Sequence, residues 1–559
     1  MGPFPRNRRR LLHNPRPPSS PAPARAVRLR REARFAKIRA MKPISTSTFT
    51  FSRLVEGGAV YVDKTATIHA LASEVSPQYF LARPRRFGKS LLVSTIKALF
   101  EARRELFKGL AIDSLPWDWT AVPVIHLDMG SSQASDGAEL MARLDGQLAN
   151  IQHDLGLEPE SWDSVPARFR NLCRAAAAKS PTGKIAVLID EYDKPLLGLL
   201  GRPEVSGVKS ALKAFYSVVK TTEPLQRFVL VTGVSKFSKV SIFSDLNNLT
   251  DLTMDARAAA LLGYTHEEVL ANFPEHLDAL AAALGTTRDQ AFARLVHWYD
   301  GYRFHRNGPD MFNPVSVGKC LDAREFKNWW FETGTPTFLM EMIRKTPVDL
   351  DSPEAPEEAF SVYEPEEPAI LPLLVQTGYL TIKETIQGVN RTTYRLGFPN
   401  QEVAGSFSYH LAKSAVGPRA ADLDRLDLRM VRSLQAGDAR GMLEALKAFF
   451  AAIPYDIAVD AEKYWQSLFY AVFLMIGLDI EAEVRTNLGR IDAVVRVPGF
   501  VYVFEFKIKG SSAAALAQIK EKRYFERYLG AGNRVVLVGA GFSLKTRNVV
   551  RPKIETLPA

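Results

Sequence analysis

The feature that most restricts what this chain of 559 residues can fold into is a short apolar run that passes through a Gly-Lys-Ser turn into a helix. The run YFLA (79–82) leads through Arg83-Pro84-Arg85-Arg86-Phe87-Gly88-Lys89-Ser90 into LLVSTIKALF. A strand that ends at a helix start belongs to a layered α/β fold. Its geometry also has a chemical consequence, because the first N–H groups of a helix lack partners and the dipole there favours an anion. Lys89 is expected to reach the β- and γ-phosphates of a nucleotide, and Ser90 to ligate Mg²⁺. Arg83 stands where such loops usually carry glycine. With Arg85 and Arg86 it supplies cations near the anion at the expense of close backbone approach, while Gly88 keeps the turn permissive.

Further apolar runs at 122–127, 185–189 and 228–234, separated by helical patterns at 91–107 and 206–221, predict a mostly parallel, doubly wound sheet. The run at 185–189 lies in KIAVLIDEYDKP and ends in Asp190 and Glu191. Asp190 is placed to hold the Mg²⁺ shell and Glu191 to orient an attacking water. A strand ending in acids is commonplace. GKS, one strand, DE, then a strand ending in Thr232-Gly233-Val234-Ser235 is more specific, and follows the layout of the additional-strand ATPases. Ser235 is a candidate sensor of the γ-phosphate, the plainer alternative being a cap. Arg257 is a bare candidate for an arginine finger. The boundaries read are an ATPase-like domain at 43–260, a mainly helical region at 261–440 with an acidic, Pro-rich stretch at 347–368, and a C-terminal domain at 441–559.

In the last of these, GRIDAVVRV and FVYVFEFKIKG flank Pro498-Gly499. If those two residues form a hairpin turn, Val497 faces Phe500 and Asp492 falls opposite Glu505. Lys507, two residues on, shares the face of Glu505, while Phe504, Phe506 and Ile508 take the other. Two carboxylates and a lysine on one sheet face are costly unless solvated or binding something. Asp492 and Glu505 suit a hard divalent cation, Mg²⁺ or Mn²⁺, and Lys507 would stabilise charge developing on a phosphate. Glu462, on the preceding helix, is a candidate third carboxylate, and Gln518, on the following helix, a support. The bland alternative is an exposed hairpin with a surface Glu-x-Lys ion pair.

Net charge is a weaker guide than it looks. The chain carries 72 Lys+Arg against 61 Asp+Glu, but residues 1–40 hold 11 Arg, one Lys and one Glu. The rest balances at 60 against 60. Residues 1–42 therefore read as a disordered basic tail, able to touch nucleic acid non-specifically and superficially like a transit peptide. An equal alternative makes Met41 the true start. Cys173 and Cys320 lack metal-ligand spacing and fit a reducing cytoplasm. The apolar stretch at 467–480 is too short to span a bilayer, so no membrane is expected.

These residues resemble a known family. YVDKT (61–65), RPRRFGKS, LIDEYDKP, TGVSKFSKVSIFSDLNNLTDLT (232–253), WYDGYRF (298–304), FNP (312–314), TGYLTI (377–382), PNQEV (399–403), GRID and FEFK together resemble the prokaryotic AAA-ATPase-like proteins fused to a PD-(D/E)XK nuclease-superfamily domain. The resemblance covers nearly everything from Pro43 onward, and an Arg at position 83 looks normal within it. It implies an α/β chain with an N-terminal P-loop NTPase sheet of the ASCE/AAA-like kind, a helical middle region and a C-terminal PD-(D/E)XK nuclease-like α/β domain. It further implies an ATP and Mg²⁺ site on Lys89, Ser90, Asp190 and Glu191, and a nuclease-type site on Glu462, Asp492, Glu505, Lys507 and Gln518. The partner expected is nucleic acid, DNA favoured, and a homo-oligomer is expected of any motor with one phosphate loop per chain. The competing expectation is a nucleotide-dependent switch whose nuclease-like domain binds nucleic acid or a partner without cleaving.

Overall fold

Three of the five strands of the N-terminal sheet, Gln78–Ala82, Ile185–Asp190 and Gln226–Gly233, are buried along their whole length apart from one residue, which requires cover on both faces. The computed structural model describes residues 41–158, 162–200, 202–236, 248–330, 369–417, 423–453, 462–476, 479–486, 489–508, 510–523, 525–530 and 532–557, with parts of 339–360. For residues 462, 463, 466, 479–486 and 489–492 the description covers the backbone alone. The basic tail at 1–40 lies outside the described residues.

The strands β1 (Gln78–Ala82), β2 (Val124–Asp128), β3 (Ile185–Asp190), β4 (Gln226–Gly233) and β5 (Thr250–Asp251) pair in the order β2-β3-β4-β1-β5. All these pairings are parallel. β4 is inserted between β1 and β3, the additional-strand arrangement that the spacing of GKS, DE and TGVS predicts. The helix α1 (Lys89–Phe100) follows the phosphate loop, and its start is set by Gly88 at φ 92°, a conformation glycine adopts without strain. Three more helices, α2 (Gly137–Asp154), α3 (Val165–Lys179) and α4 (Val205–Thr221), pack against one another. Asp136 and Ser164 cap the first two through side-chain acceptors. Phe169 and Phe215 stack at 4.8 Å between α3 and α4.

The middle region is mainly helical among the described residues, as expected, with short strands set between its helices. It contains the ribbon β6 (Tyr302–Arg303) with β7 (Asp310–Met311), and a three-stranded antiparallel sheet of β8 (Glu354–Pro356), β9 (Thr381–Gln387) and β10 (Thr392–Gly397) in the order β8-β10-β9. The TGYLTI run thus enters a strand, after a helix stop at Gly378, φ 87°. The helix α5 (Gln401–Val416), capped by Asn400, follows this sheet.

The C-terminal part holds α6 (Glu462–Met475), β11 (Asp479–Thr486), β12 (Gly489–Val497), β13 (Phe500–Ile508), α7 (Ser512–Glu521), β14 (Arg534–Ser543) and β15 (Asn548–Thr556). The sheet runs β11-β12-β13-β14-β15, antiparallel except where β13 pairs β14 in parallel. Two of its five strands, β11 and β15, were not anticipated. The crossover that parallel pairing demands is α7. Among the described residues no helix is long and apolar enough to cross a membrane.

Candidate functional sites

At the phosphate loop, Lys89 is buried and its Nζ donates to the carbonyls of Arg83 and Pro84, 2.9 Å each. Burial pulls this ammonium below its ordinary pKa, opposed by the carboxylates of Asp190, Asp193 and Glu191. Asp190 is buried at the end of β3, and burial raises its pKa against the lowering effects of the Ser90 hydroxyl and Lys89. A cavity of about 650 Å³ opens beside these groups, lined by Ser90, Asp190 and Glu191 together with His126 and Asp128 of β2. A hydroxyl and a carboxylate, both hard oxygen donors, fit Mg²⁺ here. Glu191 sits at φ 51°, a left-handed conformation costly for a side chain with a Cβ. Its carboxylate lies over Gly130, where a Cβ would come within 2.9 Å of it.

Three predicted members of this site take other positions. Arg83 is 1% exposed, and its guanidinium donates to the carbonyls of Ala82 (2.9 Å), Thr253 (2.6 Å) and Ala258 (2.8 Å) while lying 4.2 Å from the Phe304 ring centroid. In the structure that charge holds the 253–258 loop. Arg86, at φ 64°, donates to the carbonyl of Trp329 at 2.7 Å, leaving Arg85 as the exposed cation of the loop. Ser235 is fully buried and its hydroxyl donates to Asp193 at 2.5 Å. Asp193 also accepts from the backbone N–H groups of Val234 and Ser235, so it fixes the end of β4. Sequence reasoning passed over Asp193. The contact leaves no room for a side chain at Gly233, where a Cβ would meet the Asp193 carboxylate at 2.5 Å. Arg257 is paired with Asp255 (2.7 Å) and Glu74 (2.8 Å) on the surface.

At the C-terminal sheet, β12 and β13 pair as Ala493↔Phe504 through Val497↔Phe500, the register that the Pro498-Gly499 turn predicts. Asp492 is the next residue along β12 and Glu462 opens α6; the side chains of both lie outside the described residues. Glu505 is 2% exposed, accepts a hydrogen bond from Gln518 Nε2, and its Oε1 is 3.3 Å from Lys507 Nζ. Lys507 keeps about a third of its side chain in solvent. Three of the five predicted side chains therefore meet at one point. Phe504 and Phe506 take the other face, against Phe473 and Phe469 of α6, at 5.0 and 4.6 Å.

Gln518 reaches Glu505 because α7 lies close on the sheet. Along β14, Glu505 neighbours Gly539 and Lys507 neighbours Gly541. A Cβ on Gly539 would come within 2.5 Å of the backbone of α7, and one on Gly541 within 2.7 Å of the Gly510 carbonyl. Ser512 closes the junction, accepting from Gly541 N–H and donating to the Val550 carbonyl, both at 2.7 Å. A buried carboxylate held by an amide beside a lysine fits a hard divalent cation.

A family model described as predicted AAA-ATPase matches residues 43–243, and one described as PD-(D/E)XK nuclease superfamily matches residues 460–552. A protein of Azotobacter chroococcum mcd 1, named as an uncharacterized protein in the vnfD 5′ region, is 38% identical over 522 residues, covering 91% of this chain and 98% of its own.

Proposed function

Because the chain belongs to the family of AAA-ATPase-like proteins joined to a PD-(D/E)XK nuclease-superfamily domain, we propose that it binds and hydrolyses ATP and couples this to Mg²⁺-dependent phosphodiester cleavage of nucleic acid, DNA foremost. The observation that carries the cleavage half is Glu505, a carboxylate 2% exposed, oriented by Gln518 and 3.3 Å from Lys507. A surface Glu-x-Lys pair would keep its carboxylate in water, whereas burying one is costly even beside a lysine.

On this reading Lys507 faces the phosphate being cleaved and stabilises charge developing on its oxygens. Gln518 keeps the Glu505 carboxylate in one orientation. Asp492 and Glu505 would hold Mg²⁺ or Mn²⁺, which supplies polarisation of the phosphate and a more acidic water. At the nucleotide loop, Lys89 exchanges the carbonyls of Arg83 and Pro84 for phosphate oxygens. Ser90 and Asp190 would hold Mg²⁺, whose chemistry is to neutralise the β- and γ-oxygens, and Glu191 orients the water. Arg85 adds a cation at the mouth of the loop.

The test is a cleavage assay on single- and double-stranded DNA and RNA with Mg²⁺ or Mn²⁺, with and without ATP. Wild-type protein is expected to cut, Lys507→Ala and Asp492→Ala to be inactive, and Lys89→Ala to lose the response to ATP. Intact substrates under every condition would sink the reading.

A further inference from the structure

The nucleotide loop is tied to a part of the chain far from it in sequence. Arg86 donates to the Trp329 carbonyl at 2.7 Å, and Trp330 Nε1 donates back to the Arg85 carbonyl at 3.2 Å. The backbone N–H of Trp330 in turn donates to Glu402 Oε1 at 2.8 Å, while Ser316 Oγ donates to Glu402 Oε2 at 2.8 Å. Glu402 is fully buried in the first turn of α5. A carboxylate with no exposure is an expensive way to fill a core position that an apolar side chain could take. What it provides is a directional hold on Trp330 and, through the indole, on the loop.

From Glu402 the contacts continue to the other site. At Gly405, a Cβ would stand 4.0 Å from the Leu474 carbonyl, so α5 and α6 approach at backbone distance. Phe398, just before α5, stacks on Tyr470 of α6 at 6.3 Å and 16°. The next turns of α6 carry Phe469 and Phe473, which press on Phe506 and Phe504, the residues alternating with Glu505 and Lys507 on β13.

We propose that Glu402 and Trp330 are positioning residues through which occupancy of the nucleotide loop is felt at the strand carrying Glu505 and Lys507. This inference rests on the functional reading above and names the route of its regulation. Phosphates bound by the loop act on Arg85 and Arg86, the two residues whose backbone or side chain touches Trp329 and Trp330. A change there alters the donors to Glu402, and α5 transmits it to α6 as a shift of packed helices. Burial raises the Glu402 carboxyl to about 7, so its charge is sensitive to small changes in those donors.

The experiment is amide hydrogen exchange with and without MgATP on wild-type protein, Glu402→Gln and Trp330→Phe, with ATP binding measured on each. Wild-type protein is expected to change its exchange over 401–416 and 462–476 on adding MgATP. Both variants are expected to bind ATP and to lose most of that change. Trp330→Phe keeps an aromatic ring, though a smaller one, and removes the indole donor, so it tests the link should Glu402→Gln fold poorly. Wild-type protein that binds ATP with no change over these helices overturns the inference, as do variants that keep the full change. Exchange does not require cleavage, so failure of the nuclease reading appears separately as intact substrate. A wild-type chain that binds no ATP fails the functional reading and takes the inference with it.

Discussion

Arg83 shows how one side chain can look like a phosphate ligand in sequence and hold backbone carbonyls in space. Its guanidinium holds three backbone carbonyls, two of them in the 253–258 loop. Arg83→Ala is therefore expected to destabilise the fold by about 3 kcal/mol, since buried acceptors lose a charged donor. Urea unfolding reads this directly, and a variant of unchanged stability with weakened ATP binding would restore the phosphate role. Glu402 makes a prediction of a different kind. Its folded pKa, about 7, lies above the usual carboxyl value of 4.5 because of burial. The folded state therefore holds the proton more tightly than the unfolded chain. Its contribution is fully present below about 4.5 and is lost as pH rises through about 7. Comparing urea midpoints at pH 5 and pH 8, Glu402→Gln should gain on wild type at the higher pH. A difference that is flat or reversed would mean that this carboxyl stays ionised throughout.

Among the elements, the close seat of α7 on β14 depends on glycines beside Glu505 and Lys507. Gly539→Val is expected to lift α7, separate Gln518 from Glu505 and lower cleavage about 10²-fold or more. The assay that checks this is cleavage measured alongside far-UV circular dichroism, which should stay near wild type. Gly378, at φ 87°, packs a would-be Cβ 2.7 Å from Pro84 of the nucleotide loop. Gly378→Ala should cost about 2 kcal/mol in thermal or urea unfolding through backbone strain and that clash. These close approaches also mark where sequence reading stops. The strands β1 to β4 were legible because they are continuous apolar runs, and the β12–β13 register because a two-residue turn and period-two alternation leave one pairing. β8 and β10 were not: each is short, and β10 alternates apolar with polar residues inside a stretch whose other signals are helical. Arg83 and Ser235 were misplaced for a related reason. A motif states which residues stand near a loop, but which way each side chain turns depends on partners, here Thr253, Ala258 and Asp193, brought in by the fold.

For the whole molecule, charge and structure divide the work. All the formal excess of +11 belongs to residues 1–40, and the remainder is balanced. Removing those residues should flatten the dependence of DNA binding on salt, because fewer counterions are released, while cleavage at low salt and saturating DNA persists. Binding titrations at several salt concentrations measure the slope; an unchanged slope would place the phosphate contacts in the balanced part of the chain. The parallel pairing of β13 with β14 carries a last consequence, for the order of events during synthesis. An antiparallel hairpin such as β12–β13 can close as soon as it leaves the ribosome, but β13 gains its second neighbour only after α7 and β14 have been made. The nucleotide loop, far upstream, is complete long before that. On the proposed function, a growing chain would thus have synthesised its nucleotide loop well before the sheet around Glu505 and Lys507 could be completed.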